Sequence, residues 1–232
     1  MAIKLIAISY AGGSSFSYSA WRNYLPSSFA LLTPDYAGHG KRFHEPLAEN
    51  FENMVLDMYW QVVKDCAGSV VLYGHSLGAM IAVYTAQHLY QQNKFIPRAL
   101  ILAACRGPEM FKNEVHTTLS DDQLLTYLIN VRSLPYETLE SREFKSYVLP
   151  GIRNDFRIAN QFECPSLILP PCPVLCINGK QDYSITDDAV NNWQKFSSQQ
   201  IKNIRISGNH FFLEDEVELT CRLIIDYLEQ LV

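Results

Sequence analysis

The chain has 232 residues, of which 48% are hydrophobic and 19% charged, and its net charge is −5 at pH 7. This length and composition predict one soluble globular α/β domain over residues 1–232. The acidic balance and the lack of a basic tract argue against nucleic acid or an anionic membrane surface as a partner, and no apolar run approaches the roughly 18 residues that a membrane-spanning helix requires.

Strands and helices alternate along most of the chain. Hydrophobic periodicity predicts strands at residues 3–9, 29–32, from 70 to the glycine at 74, 99–103, 174–177 and 201–206. It predicts helices at residues 16–25, 53–66, 77 to about 91, 186–196 and 213–231. This alternation indicates a mainly parallel central sheet with helices on both faces. The short apolar run at residues 3–9 fits a first strand better than a signal peptide.

The alternation pauses between about residues 106 and 165. Three segments there have helical spacing, at residues 120–131, 136–148 and 151–160, and Ser120 is a suitable N-cap for the first. A helical insertion between strands of such a sheet predicts a lid over the active site. The alternative is a purely structural excursion.

Six cysteines lie mostly among apolar neighbours, at positions 66, 105, 164, 172, 176 and 221. The spacing of Cys172 and Cys176 matches neither a zinc ribbon nor a thioredoxin motif, and no second cluster accompanies it. We therefore expect buried free thiols in a reducing compartment, in a cytoplasmic protein that can exist as a monomer.

One pentapeptide, Gly74-His75-Ser76-Leu77-Gly78, lies between a predicted buried strand and a predicted helix. This strand–turn–helix context is what a nucleophile elbow requires. Glycines two residues either side of the serine remove side chains that would collide at so sharp a turn. The context therefore predicts Ser76 as a nucleophile, although the pentapeptide alone also fits an ordinary turn that contains serine.

A serine nucleophile needs a base, and the base needs a third group to orient it. In α/β-hydrolase architecture these partners follow in the order serine, acid, histidine, after late strands. Asp182 follows the strand predicted at 174–177, and His210 follows the strand predicted at 201–206. Both sit at the expected carboxyl ends of strands, and they are predicted to complete a catalytic triad with Ser76.

Other candidates for the acid and the base fit less well. Asp187 and Asp188 lie inside the following predicted helix, where a solvated or helix-dipole role is expected. The side chain of His75 is expected to point away from the nucleophile and to pack or form a structural hydrogen bond. The remaining histidines lack the strand-end position: His39, His44, His88 and His116.

An oxyanion hole needs two backbone donors. We expect one from the N–H of Leu77, directly after the nucleophile, and the other from the loop after the first strand, with Ala11 preferred over Gly12. That loop, Ala-Gly-Gly-Ser, matches neither dinucleotide-binding nor P-loop patterns, and the histidines show no metal-binding spacing. No cofactor or metal is expected.

Several segments spread along nearly the whole chain form a recognisable set: Tyr10-Ala11-Gly12-Gly13-Ser14, Gly38-His39-Gly40-Lys41-Arg42 with Glu45-Pro46, Gly74-His75-Ser76-Leu77-Gly78-Ala79, Leu149-Pro150 with Arg153 and Asp155-Phe156, Pro173-Val174 leading to Gly179-Lys180-Gln181-Asp182, and Gly208-Asn209-His210-Phe211-Phe212-Leu213. In these segments the chain resembles the type II thioesterases of nonribosomal peptide and polyketide assembly lines, members of the α/β-hydrolase superfamily. Four positions depart from that family's usual residues: Ser9 and Ala37 replace proline, His39 replaces arginine, and Gln181 replaces an acid. None of them is a predicted triad member.

The resemblance implies an α/β-hydrolase fold that clears acyl or aminoacyl groups in trans from the phosphopantetheine arm of a carrier protein. It implies Ser76 as nucleophile, His210 as base and Asp182 as the group that orients it. The lid would form an apolar acyl pocket and meet the carrier. Competing readings are a carboxylesterase or lipase acting on small soluble esters, a catalytically silent binding partner, and an acyl transferase.

Overall fold

The computed structural model describes residues 2–110, 118–131, 133–162 and 167–231. Within these ranges all the strands run parallel in one sheet, in the order β2-β1-β3-β4-β5-β6. The strands are β1 (Ile3–Ile8), β2 (Phe29–Leu32), β3 (Val70–His75), β4 (Ala99–Ala103), β5 (Val174–Gly179) and β6 (Lys202–Ile206). The α-helices are α1 (Phe51–Val62), α2 (Leu77–Asn93), α3 (Asp121–Asn130), α4 (Leu149–Asn160), α5 (Asp187–Asn191), α6 (Phe212–Asp215) and α7 (Val217–Glu229).

The burial of the strands follows from their composition. Every residue of β3, β4 and β5 is buried, as expected for central strands made mainly of apolar residues. The edge strands β2 and β6 are only partly buried. The chain passes from β1 to β2 on one side and then returns to β3 on the other side of β1. This reversal opens a crevice at the carboxyl ends of β1 and β3, where open α/β sheets bind ligands.

The predicted strands agree closely with the structure, while some predicted helices differ from it in type. Residues 16–25, predicted as helical, form a 3₁₀-helix at Ser15–Asn23, which Ser14 caps. The helix predicted at 186–196 changes from α to 3₁₀ at Asn192, and the closing helix is interrupted at Glu216 between α6 and α7.

The helix predicted over residues 136–148 is wrong as a single element. A 3₁₀ turn at Tyr136–Leu139 is followed by a π-helical turn at Phe144–Val148 that leads directly into α4. The Leu149 N–H donates to the Phe144 carbonyl, one residue further back than in an α-helix. Pro150 has no N–H with which to continue an α-helical ladder, which favours a change of hydrogen-bond register at this point.

Helices α3 and α4 form a small hydrophobic core of their own. Its buried members come from both helices: Leu124, Leu125, Leu128, Leu149 and Ile152. Ser120 caps α3, as predicted, and the structure adds a capping box in which the Gln123 side chain returns to the Ser120 N–H. Residues 111–117, 132 and 163–166 lie outside the described residues, and His116 and Cys164 with them. The lid over residues 106–165 therefore stays a prediction, and so does the single domain over residues 1–232.

Among the residues that the structure describes, no helix is both long and apolar enough to cross a bilayer. The five cysteines in the described ranges are free thiols.

Candidate active site

The turn between β3 and α2 has the geometry of a nucleophile elbow. Ser76 has a φ of 54° and a ψ of −117°, a conformation that costs a non-glycine residue energy and is typical of functional sites. Its N–H is held by the Ala103 carbonyl on β4 at 2.8 Å. A Cβ on Gly74 would overlap the Gly78 carbonyl, and a Cβ on Gly78 would overlap the Ile8 carbonyl. Both glycines are therefore needed for the strand and helix to approach this closely.

Asp182 and His210 meet at the carboxyl ends of β5 and β6. The two strands are paired in parallel, so the loops that follow them are neighbours. His210 Nδ1 lies 2.6 Å from Asp182 Oδ2. Because an ionised carboxylate only accepts hydrogen bonds, Nδ1 carries the hydrogen and Nε2 is left as the basic nitrogen. The side chain of Asp182 is 3% exposed and that of His210 is 26% exposed, so the histidine is the more accessible of the two to a ligand.

The environment of Asp182 favours its charged form. Burial opposes ionisation, but the hydrogen bond and charge of His210, together with two hydrogen bonds from Ser184, outweigh it and lower the pKa of Asp182. Ser184 donates to Asp182 Oδ1 from its backbone N–H at 3.2 Å and from its hydroxyl at 2.6 Å. The carboxylate is thereby fixed at both oxygens.

Ser76, Asp182 and His210 line a single cavity of about 1070 Å³. The same cavity is lined by Ala11 and Leu77, the two residues predicted to provide oxyanion donors. The structure therefore brings all five predicted site residues to one place. Their catalytic roles stay predictions, which the experiments below test.

The choice between Ala11 and Gly12 as the second donor can be argued from their hydrogen bonds. The Gly12 N–H donates to Asp155 Oδ2 at 2.7 Å, so it is already occupied. Among the residues that the structure describes, the N–H groups of Ala11 and Leu77 form no hydrogen bond. This pattern favours Ala11.

His75 has a structural role that the sequence analysis described only in outline. It is fully buried, and burial lowers its pKa to about 3, so the ring is neutral. Its Nε2 lies 2.7 Å from the His210 carbonyl oxygen and its Nδ1 lies 3.1 Å from the Tyr73 hydroxyl. Since the carbonyl can only accept, Nε2 donates to it and Nδ1 accepts from Tyr73. The elbow histidine therefore holds the backbone of His210 in place.

The rival residues lie away from the cavity. Asp187, with a side chain 70% exposed, forms an ion pair with Arg205 at 2.7 Å, and Asp188 is also exposed. His39 pairs with Asp155, and His88 contacts the Tyr84 carbonyl through Nδ1. None of the rivals in the described ranges, including His44, lines the cavity.

Sequence reasoning missed the function of Gln181. Its side-chain oxygen accepts the Gly208 N–H at 2.7 Å, and its own N–H donates to the Gly208 carbonyl at 3.0 Å. These two bonds join the loop that carries Asp182 to the loop that carries His210. The only signal in the sequence was that Gln181 stands beside the predicted acid.

We predict that Gln181→Leu lowers kcat for hydrolysis of a p-nitrophenyl ester by about 3- to 10-fold, since small misplacements of catalytic groups are costly. Gln181→Glu should stay near the wild-type rate, because its carboxylate still accepts the Gly208 N–H. Gln194 is a matched control, since it joins the Gln199 carbonyl to the Ile201 N–H away from the cavity. An equal loss in Gln194→Leu would contradict the specific role of Gln181.

The family model described as "Thioesterase domain" matches residues 3–228. Thioesterase PikA5 of Streptomyces venezuelae is 28% identical over 234 residues, covering 98% of this chain and 81% of that protein. Gramicidin S biosynthesis protein GrsT of Aneurinibacillus migulanus is 24% identical, covering 95% of this chain and 88% of that protein.

Solved structures agree on the fold. ClbQ from the colibactin NRPS/PKS pathway superposes with a TM-score of 0.91 and 28% identity, covering 100% of this chain and 98% of that one. RedJ, a thioesterase from the prodiginine biosynthetic pathway in Streptomyces coelicolor, has a TM-score of 0.87, 24% identity, and coverage of 98% and 85%. The predicted α/β-hydrolase fold, with its parallel sheet between helices, is confirmed.

Proposed function

This chain belongs to the thioesterase domain family, and on that basis we propose that it hydrolyses acyl or aminoacyl thioesters from the phosphopantetheine arm of carrier proteins. It would act in trans, as an editing or release enzyme of a peptide or polyketide synthase. Its similarity to PikA5 and to ClbQ, which comes from an NRPS/PKS pathway, extends over nearly the whole chain and supports this choice over a general carboxylesterase.

The main chemical support for this proposal is the arrangement of Ser76, Asp182 and His210. The Asp182–His210 pair, at 2.6 Å, opens into the same cavity as a serine in a strained elbow. This set supplies a nucleophile, a base and an orienting carboxylate, which is the minimum for acyl transfer through a covalent intermediate.

The reaction follows from the positions of these groups. The Ser76 hydroxyl attacks the thioester carbonyl carbon, and its proton passes to Nε2 of His210. The Ala11 and Leu77 N–H groups donate to the oxyanion of the tetrahedral intermediate. When the C–S bond breaks, His210 returns the proton to the leaving thiolate. A water molecule, deprotonated by His210, then attacks the acyl-Ser76 ester, and the ester bond breaks to release the acid and restore the serine.

No step of this sequence calls for a metal or for a cofactor beyond the phosphopantetheine that the substrate carries. The cavity volume, about 1070 Å³, is slightly above the usual range of small-molecule sites. Apolar side chains from α2, α3 and α4 contribute to its wall, among them Met80, Leu128 and Phe156. We propose that α3 and α4, as parts of a lid, cover the acyl group and that the carrier protein docks beside them.

A hydrolysis panel tests the substrate class. Acyl and aminoacyl groups would be loaded on several carrier proteins, and kcat/KM compared with that for matched oxygen esters. We expect the carrier thioesters to be preferred. A strong preference for the oxygen esters would favour a carboxylesterase, and transfer of the acyl group to a nucleophile other than water would favour a transferase. If a fluorophosphonate failed to label Ser76 in the folded protein, the chain would be a silent binding partner.

A further inference from the structure

A buried carboxylate on α4 holds the loop that follows β1. Asp155 Oδ2 accepts the Gly12 N–H at 2.7 Å and lies 2.9 Å from His39 Nε2. The side chain of Asp155 is fully buried, and that of His39 is 7% exposed. One oxygen atom therefore joins three segments that are distant in sequence: the loop after β1, the loop after β2, and α4.

The surroundings of His39 favour its protonated form, which balances the charge of the Asp155 carboxylate. Its Nδ1 lies 3.1 Å from the Ala37 carbonyl and its Nε2 lies within ion-pair distance of Asp155, so an oxygen lies near each ring nitrogen and a ring protonated at both suits this site. Burial acts to lower the pKa of His39, but the contacts with Asp155 and Ala37 outweigh it and the pKa is raised. Asp35 adds a smaller effect in the same direction, and the edge of the Tyr36 ring packs against the imidazole.

Two glycines, Gly12 in the loop after β1 and Gly151 on α4, allow the loops to pack closely against α4. Gly12 has a φ of +79°, and Ile152 Cγ1 lies 2.6 Å from where a Cβ on Gly12 would be. The loop is therefore packed directly against the helix. A Cβ on Gly151 would lie 3.3 Å from His39 Nε2, so the glycine gives the imidazole room to reach Asp155. Three residues of α4, Gly151, Ile152 and Asp155, thus lie against the two loops and hold them in place.

The hydrogen bond between Gly12 and Asp155 affects the preceding residue, Ala11. While Gly12 directs its N–H at Asp155, the Ala11 N–H is left for a ligand in the cavity that Ala11 lines. Resting on the function proposed above, we propose that Asp155 is a positioning residue of the oxyanion hole. It holds the loop so that Ala11 provides the second donor, and His39 compensates its charge. Asp155 does not touch the substrate.

The test compares Asp155→Asn with Asp155→Leu. The two replacements have similar size and both remove the charge, but only asparagine can accept the Gly12 N–H. We expect Asp155→Leu to lower kcat by about 10- to 100-fold, less than the roughly 100- to 1,000-fold cost of deleting an oxyanion donor. KM should change by less than about 3-fold, because the contact acts on transition-state stabilisation. Asp155→Asn should retain most of kcat.

A trifluoromethyl ketone separates positioning from general damage, because its adduct with Ser76 places an oxyanion in the same hole. Its affinity for Asp155→Leu should fall in parallel with kcat/KM. Asn154→Ala is the matched control. Asn154 lies on the same helix, α4, but its side chain donates to the Ala48 carbonyl and accepts from Arg157, and among the described residues it forms no hydrogen bond to the Gly12 loop. If Asn154→Ala matched the loss in Asp155→Leu, or if the ketone bound Asp155→Leu as tightly as wild type, the proposal would be wrong.

A replacement variant and a second substrate cover the cases in which Asp155→Leu does not fold or the proposed substrate class is wrong. If Asp155→Leu melts below the assay temperature, Asp155→Glu takes its place: it retains the charge but displaces the carboxylate, and kcat and ketone affinity should fall together, whereas unchanged values would overturn the proposal. All variants are also assayed on a p-nitrophenyl ester. A wild-type protein that hydrolyses the ester but no carrier thioester would refute the proposed substrate class, while the Asp155 comparison would still be decided.

Discussion

Replacing Ser76 by alanine is expected to lower kcat/KM for a carrier-bound acyl thioester by about 10⁵-fold or more. Loss of the nucleophile from a serine triad has an effect of this order, since the remaining groups cannot form the acyl-enzyme. The fold should be unaffected, because alanine keeps the Cβ and the backbone N–H that binds the Ala103 carbonyl. Steady-state kinetics measure the loss, and thermal unfolding checks the fold.

Ser133 provides the control for this prediction, because it lines the same cavity without any proposed part in the reaction. Ser133→Ala should keep kcat/KM within about 3-fold of wild type, because a group that makes no interaction particular to the transition state adds little to its stabilisation. A fluorophosphonate should label wild type and Ser133→Ala but not Ser76→Ala. If Ser76→Ala kept a tenth of the wild-type activity, Ser76 could not be the nucleophile.

Much of the fold was predictable because most of its strands are short segments made mainly of apolar residues. The strands at 29–32 and 99–103 were predicted with the boundaries that β2 and β4 have. The segment at 136–148 was not, because the change to a π-helical turn before Pro150 depends on hydrogen-bond register. Hydrophobic spacing alone does not report that register.

The same distinction applies to the candidate site. Ser76, Asp182 and His210 could be proposed because parallel strands end at one edge of a sheet, so position along the chain indicates position in space. The contact of Asp155 with Gly12 joins residues 143 positions apart and depends on how α4 packs on the loop after β1. Local pattern holds no information on such packing. The role of Gln181 was missed for a related reason, since its partner Gly208 belongs to the next strand's loop.

Replacing Asp182 by asparagine is expected to lower kcat by about 10⁴-fold with little change in KM. The amide can turn its N–H₂ toward His210 Nδ1, which would then need to accept, and the hydrogen would move to Nε2. Nε2, the nitrogen proposed to take the Ser76 proton, would no longer be a base. Asp182→Asn should also change how the free energy of unfolding depends on pH, because it removes a carboxylate that titrates. Because the pKa of Asp182 is lowered, its stabilisation is present above about pH 4 and is lost as the pH falls through that lowered pKa.

Asp187→Asn decides whether this effect belongs to the proposed acid. Asp187 follows the same strand, only five positions further on, but its carboxylate is paired with Arg205 at the surface. Exposed ion pairs contribute about 0 to 1 kcal/mol, so Asp187→Asn should leave kcat within about 2-fold of wild type and its loss of stability should be small. A large kcat loss in Asp187→Asn, with Asp182→Asn active, would reassign the acid.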